Sequence, residues 1–331
     1  MPDPATKGDF YIGVDLGGTK ILAGVFDPQM TCLGRNKMST KPERGATEVV
    51  DRIARCVRDA ADECDLDIKQ LRGVGVGAPG SIDVPAGKVI FAPNLQWQDV
   101  PLKKLLEKEL GVPVSIENDG NVAMLGIYET ELQAKPKHVI GIFVGTGIGG
   151  GIILDGKLFP GSNGTAGEIG HMVIEVGGPK CNCGNRGCFE ALASRTAIFR
   201  KIHAAVKGGQ KTLLTDMLGP ELSDLRSGDL RKAIRKGDSF VEKVIEEAAE
   251  YIGIAVANFI NIFNPNVIVL GGGVIDALGD EMMAIIVETA EDYAMSGTSK
   301  GVEIVASKKG DDAGIIGAAV LARRAAKEKE K

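Results

Sequence analysis

One design occurs twice in this chain, roughly 130 residues apart: a strand, a glycine-rich turn and a returning strand. Residues 10–16 (FYIGVDL) read as a strand, Gly17-Gly18-Thr19 turn the chain, and Ile21–Phe26 run back. His138–Val144, the turn Gly145–Gly151 and Ile152–Leu154 repeat it. Helical and apolar β-like segments alternate around both hairpins, which predicts an α/β architecture. Two similar lobes with a cleft between them explain the duplication. At 331 residues the chain is long enough for two cores.

The spacing predicts helices at about Ala46–Glu63, Leu102–Leu110 (ended by Gly111), Asn121–Leu132 and Ser239–Phe263, and a C-terminal helix at about Ala313–Ala326. Buried strands are expected at Val74–Gly77, Val112–Glu117 and Asn266–Leu270. In Ser239–Phe263, Phe240, Val244, Ala248, Ile252, Val256, Phe259 and Phe263 fall at helical spacing and read as core.

The segment Gly170–Glu190 (GHMVIEVGGPKCNCGNRGCFE) gathers Cys181, Cys183 and Cys188, with His171 upstream. Four such ligands match a closed tetrahedral zinc site, normally structural. A disulfide or three buried free thiols are the alternatives. Cys181 and Cys183 are too close in sequence for an easy bridge, so zinc is favoured. Glu168 and Glu190 bracket the segment, where they could read hydroxyl groups. Cys32, Cys56 and Cys64 lie in strand-like or helical segments and read as reduced thiols, which points to the cytoplasm.

A formal charge of −5 argues against nucleic acid or an anionic membrane as partner. The start MPDPATKGDF has no apolar core and does not read as a signal peptide. No apolar run reaches the roughly 18–20 residues that span a bilayer. The 45 glycines cluster beside apolar runs, as close backbone approaches to a ligand require.

In the loop Asp15–Lys20, Gly17 and Gly18 let a phosphate approach backbone N–H groups, Thr19 adds a hydroxyl and Lys20 a cation. Two ordinary tight hairpins would look the same. Gly271–Gly273, between strand and helix, fits an adenine ring, a phosphate or a plain packing turn. Glu117-Asn118-Asp119 ends a strand, a good position for a general base. From local sequence alone, a helix N-cap at Asn118 or Asp119 is favoured.

Taken in order, IGVDLGGTK, GAPGSID, APNLQW, ENDGNVA, VGTGIGGG, GEIGH, CNCGNRGCFEALAS and VIVLGGGV resemble the ROK family of bacterial sugar kinases and sugar-responsive repressors, most closely its glucokinases. The resemblance runs from about Tyr11 to Ala322. It implies a two-lobed, actin-like or hexokinase-like (ribonuclease-H-like) fold with a sugar and ATP cleft between the lobes. The expected division is a small lobe of residues 1–119 plus the helix at about 313–331, and a large lobe of 120–312 with the zinc loop. The resemblance implies zinc on His171, Cys181, Cys183 and Cys188. It assigns sugar hydroxyls to Asn94, Asn118, Asp119, Glu168, His171 and Glu190, with Asp119 the catalytic base. Phosphate and nucleotide contacts fall on Gly17, Gly18, Thr19, Lys20, Thr146, Gly147 and Gly272, and Asp15 holds Mg²⁺ through water. Gly120 and Ile127 depart from the family pattern, which usually has alanine and glutamate there.

The expected activity is ATP-dependent phosphorylation of the 6-hydroxyl of glucose, with Mg²⁺ and a structural Zn²⁺, in a homo-oligomer. Another hexose (mannose, fructose or an N-acetylhexosamine) and polyphosphate as donor are the rivals. A sugar-responsive repressor would carry a helix-turn-helix domain before the first hairpin, where this sequence has about ten residues. A sugar-binding regulator without catalysis is disfavoured by Asp119.

Overall fold

The computed structural model describes residues 10–310 and 312–329. In chain order, β1 (Phe10–Leu16), β2 (Lys20–Phe26), β3 (Cys32–Ser39), α1 (Ala46–Asp62), β4 (Leu71–Ala78), β5 (Ser81–Asp83), β6 (Lys88–Ala92), β7 (Trp97–Val100), α2 (Leu102–Leu110), β8 (Val114–Asn118) and α3 (Asp119–Thr130) come first. They are followed by β9 (Val139–Val144), β10 (Ile148–Leu154), β11 (Lys157–Leu158), α4 (Phe189–Ala193), α5 (Arg195–Lys207), α6 (Leu213–Leu218), α7 (Ser227–Arg235), α8 (Ser239–Phe263), β12 (Val267–Gly271), α9 (Gly273–Tyr293), β13 (Glu303–Ala306) and α10 (Asp312–Lys329). One compact unit takes the chain through Lys135, Lys157–Gly167 and α10; the other takes Pro136–Gly156 and Glu168–Gly310.

In the first unit the sheet order is β3-β2-β1-β4-β8, with β1, β4 and β8 parallel and β1-β2-β3 antiparallel. A separate antiparallel meander, β5-β6-β7, was not legible in the sequence. In the second unit the order β10-β9-β12-β13 repeats the pattern of β2-β1-β4-β8: an antiparallel hairpin beside two parallel strands. The duplicated turns therefore head two duplicated sheets.

The boundary falls after Lys135 rather than after Asp119, because α3 packs on α10 without room for side chains. A Cβ on Gly126 would overlap the Ala313 carbonyl, and one on Gly317 the Val122 carbonyl. α10 lies as closely on the sheet: a Cβ on Gly13 would overlap the Ile315 carbonyl, and one on Gly75 the Ala318 carbonyl. Glu129 then pairs with Arg324 at 2.6 Å and Arg323 at 3.3 Å, tying the two helices together.

α8 spans the expected residues. Asp238 caps it through Val241 N–H at 3.2 Å, and Asn264 ends it in the left-handed region at φ 40° before Pro265. Val244, Ala248, Ile252, Val256 and Phe259 are buried, whereas Phe240 and Phe263, at its ends, are only partly so. Among the described residues, no helix is long and apolar enough to cross a membrane.

Candidate functional site and metal cluster

In the first unit, the register sets Asp15 of β1 beside Gly77 of β4, and Gly77 beside Glu117 of β8. This row lies at the carboxyl ends of the parallel strands, where open α/β sheets bind ligands. The β1–β2 turn is tight: Gly17 N–H donates to the Lys20 carbonyl at 2.8 Å. Fully buried Thr40 pins it, its hydroxyl donating to the Gly17 carbonyl at 2.6 Å and its N–H to the Thr19 carbonyl at 3.0 Å. Nothing in the sequence singled out Thr40. A Cβ on Gly18 would lie 3.3 Å from Asn94, so the turn and Asn94 are neighbours. Thr19 and Asn94 are exposed. Asp15 faces the first turn of α10, 3.2 Å from where a Cβ on Gly314 would stand.

α3 begins at Asp119, two residues earlier than its apolar pattern suggested, because Asn118 caps it. Asn118 Oδ1 accepts from Gly120 N–H at 2.9 Å and Asn121 N–H at 3.3 Å, and Asp119 Oδ1 also accepts from Gly120 N–H at 2.9 Å. The Asn118 amide donates to the Gly80 carbonyl at 3.1 Å. Both ends of that side chain thus fix the strand-to-helix turn, and exposed Asp119 occupies the helix's first turn. Behind it, buried Glu117 accepts from Asn118 N–H at 2.9 Å and Asn121 Nδ2 at 3.1 Å. Burial raises the Glu117 carboxyl above its ordinary value, and these two bonds partly offset the rise.

In the second unit, the β9–β10 turn is closed by Gly145 N–H on the Gly147 carbonyl at 2.9 Å. It rests on α4 and the start of α5. Glu190 accepts from Ile148 N–H at 3.0 Å, and Arg195 N–H donates to the Gly145 carbonyl at 3.0 Å. The Arg195 guanidinium donates to Thr146 Oγ1. Sequence reasoning missed Arg195; its one signal was Ser194, which caps α5 through Ala197 N–H at 3.2 Å. Glu168 is exposed and precedes the 3-10 turn Ile169–His171, which presses on β10 where a Cβ on Gly170 would overlap the Ile148 carbonyl. Gly272, at φ 89°, caps α9 against Val144. Beside the α9 N-terminus a cavity of about 500 Å³ is lined by Arg231, Asp276, Met283, Ser307, Lys308 and Lys309, among others.

His171, Cys181, Cys183 and Cys188 come together, their ligand atoms all within 4.8 Å of one another. Cys181 Sγ lies 3.7 Å from His171 Nδ1, and Cys183 Sγ 3.6 Å from Cys188 Sγ. Tetrahedral zinc with Zn–S bonds of about 2.3 Å sets its sulfurs about 3.8 Å apart, so the donors fit that ion. Gly187 makes the turn possible, since at φ 73° any Cβ would overlap the Glu175 carbonyl. Burial pushes Cys188 up to about 12 and also raises Cys181, while the Asn185 backbone lowers Cys183. A cation among them offsets the cost of carrying thiolates there. Cys181 Sγ also lies 3.9 Å from Glu190 Oε1, so one carboxylate touches both the cysteine cluster and the glycine turn.

Comparison with known proteins agrees with this architecture. The chain is 38% identical to a glucokinase of Thermotoga maritima, over 94% of this chain and 96% of that protein. It is 36% identical to a glucokinase of Halalkalibacterium halodurans, over 97% of each. The structure of a ROK family glucokinase from Streptomyces griseus, in complex with glucose and AMPPNP, matches with a TM-score of 0.83 at 35% identity, covering 95% of this chain and 99% of that one. A family model for the ROK family matches residues 11–325, so the chain belongs to the ROK family.

Proposed function

We propose that this ROK protein is an ATP-dependent glucokinase, transferring the γ-phosphoryl group of Mg-bound ATP to the 6-hydroxyl of glucose. The observation that carries the reading is an exposed carboxylate, Asp119, in the first turn of α3 at the ligand-binding edge of a sheet. Near-full-length similarity to glucokinases supports it.

Asp119 accepts the proton as the sugar oxygen attacks phosphorus. Asn118 holds it there through the cap, and Asn94 adds a sugar contact. Glu168, His171 and Glu190 bind ring hydroxyls by charge-assisted hydrogen bonds. His171 serves two purposes through its two nitrogens: Nδ1 faces the thiols, and Nε2 is left for the sugar. The turns Gly17–Lys20 and Thr146–Gly147 offer backbone N–H groups to phosphate oxygens. Asp15 is the carboxylate suited to the Mg²⁺ that neutralises the transferring group. Gly272 and the adjacent cavity take the nucleoside. His171, Cys181, Cys183 and Cys188 would hold structural zinc, which supplies a cross-link and no chemistry of its own. The six cysteines stand outside any disulfide, which supports a reducing compartment, the cytoplasm.

A coupled assay across a hexose panel, with ATP and polyphosphate as donors, tests the reading. Phosphorylation of glucose with ATP is expected. Transfer to no hexose from either donor would overturn it.

A further inference from the structure

Thr146 stands exposed at the tip of the β9–β10 turn. Both of its oxygens are engaged as acceptors by α5. Its carbonyl accepts the Thr196 hydroxyl at 2.7 Å and Thr196 N–H at 3.4 Å, and its Oγ1 accepts from the Arg195 guanidinium. A threonine hydroxyl has one hydrogen, which rotates to suit its partners. With the guanidinium on the oxygen, that hydrogen turns away from the cation and from α5. The cation also polarises the O–H bond and strengthens whatever it donates. An oxygen-rich anion such as a phosphoryl group is the acceptor this donor suits.

We infer that Arg195 is a positioning residue that fixes Thr146 as a hydrogen-bond donor to a phosphoryl oxygen of the bound nucleotide. The inference rests on the kinase reading and deepens it. Arg195 itself works through Thr146, so removing either residue removes the same interaction. Their effects must then be non-additive.

The test uses the full chain with Arg195→Met, Thr146→Val, the double variant and Arg195→Lys. MgATP affinity is measured by calorimetry, KM and kcat are measured separately for ATP and glucose, and thermal melts check folding. Each single variant is expected to weaken MgATP binding or lower kcat/KM for ATP by about tenfold or more, the loss of one charge-assisted hydrogen bond. The double variant should be no worse than the worse single one, and glucose affinity should stay within about twofold. Arg195→Lys restores the charge without the fork, so partial recovery is expected, and this variant decides the matter should Arg195→Met fail to fold. Unchanged MgATP parameters in the Arg195 variants, or additive losses in the double, would overturn the inference. If the wild type binds MgATP but phosphorylates no sugar, the kinase reading falls while the same coupling in affinity still supports the clamp. If it binds no MgATP, both fall.

Discussion

Asp119 and Glu117 are two carboxylates one residue apart, and the backbone gives them opposite environments. Asp119 is exposed in the first turn of a helix, where the aligned peptide dipoles favour its negative charge. Asp119→Asn keeps the shape of the side chain but cannot take a proton. It is expected to lower kcat about 10²–10⁴-fold with sugar affinity largely kept; near-normal turnover in steady-state kinetics would remove Asp119 from that role. Glu117 points the other way, into the core, and burial raises its pKa from the ordinary 4.5. A carboxyl that holds its proton more tightly when folded favours the fold at low pH. That contribution is lost as pH rises from the unfolded value through the raised one. Glu117→Gln cannot ionise and still offers an acceptor to Asn118 and Asn121. Relative to wild type, the variant is therefore expected to gain stability as pH rises above the unfolded value of 4.5. Urea melts read the difference, and a gap independent of pH would contradict the sign. The sequence exposed the carboxylate pair but favoured a cap for its local role. Asn118 does cap the helix, and Asp119, which also accepts from Gly120 N–H at 2.9 Å, keeps an exposed carboxylate that the cap does not bury.

The cysteine turn and the helix α10 differ in how legible they were. The turn was readable because metal ligands of one kind at short spacing have few other uses, and its four ligands do come together. Cys183→Ser is expected to lower zinc content, measured by elemental analysis against one ion per chain, together with melting temperature. It should also weaken glucose binding, since Glu190 touches Cys181. Full activity in verified metal-free protein would dismiss the cross-link. The packing of α10 was not readable, although its helical pattern was. What seats it are single glycines on three other elements, and a glycine that admits a neighbouring backbone looks in sequence like any other. Gly13→Ala, which must push the Ile315 carbonyl aside, is expected to cost about 1–3 kcal/mol in denaturant unfolding. A cost near zero would mean that α10 sits further from β1. The meander β5-β6-β7 escaped notice for another reason: its strands are three to five residues long, too short for a period to declare itself.

Across the whole molecule, the two units divide the proposed work. Asn94, Asn118, Asp119 and one proposed phosphate turn belong to the first; Glu168, His171, Glu190, the other proposed phosphate turn and the metal cluster belong to the second. The proposed sugar ligands Glu168, His171 and Glu190 suit a ring rich in free hydroxyls. Glucose is expected to have the highest kcat/KM, mannose the second, and N-acetylhexosamines to be poor, since a site built for hydroxyls leaves its donors and acceptors unpaired against other groups. An N-acetylhexosamine or fructose ahead of glucose by more than about tenfold, roughly 1.4 kcal/mol, would replace the sugar and leave the kinase mechanism standing. The doubled sheet was visible in advance because two turns repeated. The unit boundary was not, because it depends on which sheet α3 and α10 share. That shared packing has a consequence for biogenesis. The ribosome delivers β4 about 240 residues, and β1 about 300 residues, before the helix that covers them, counting from Leu71 and Phe10 to Asp312. Until that helix emerges, Tyr11, Leu22 and Phe26 lack the partners they bury against, Ile315, Ala319 and Val320. The half made first must therefore be the half finished last, and a stalled ribosome leaves its hydrophobic face bare to chaperones and proteases.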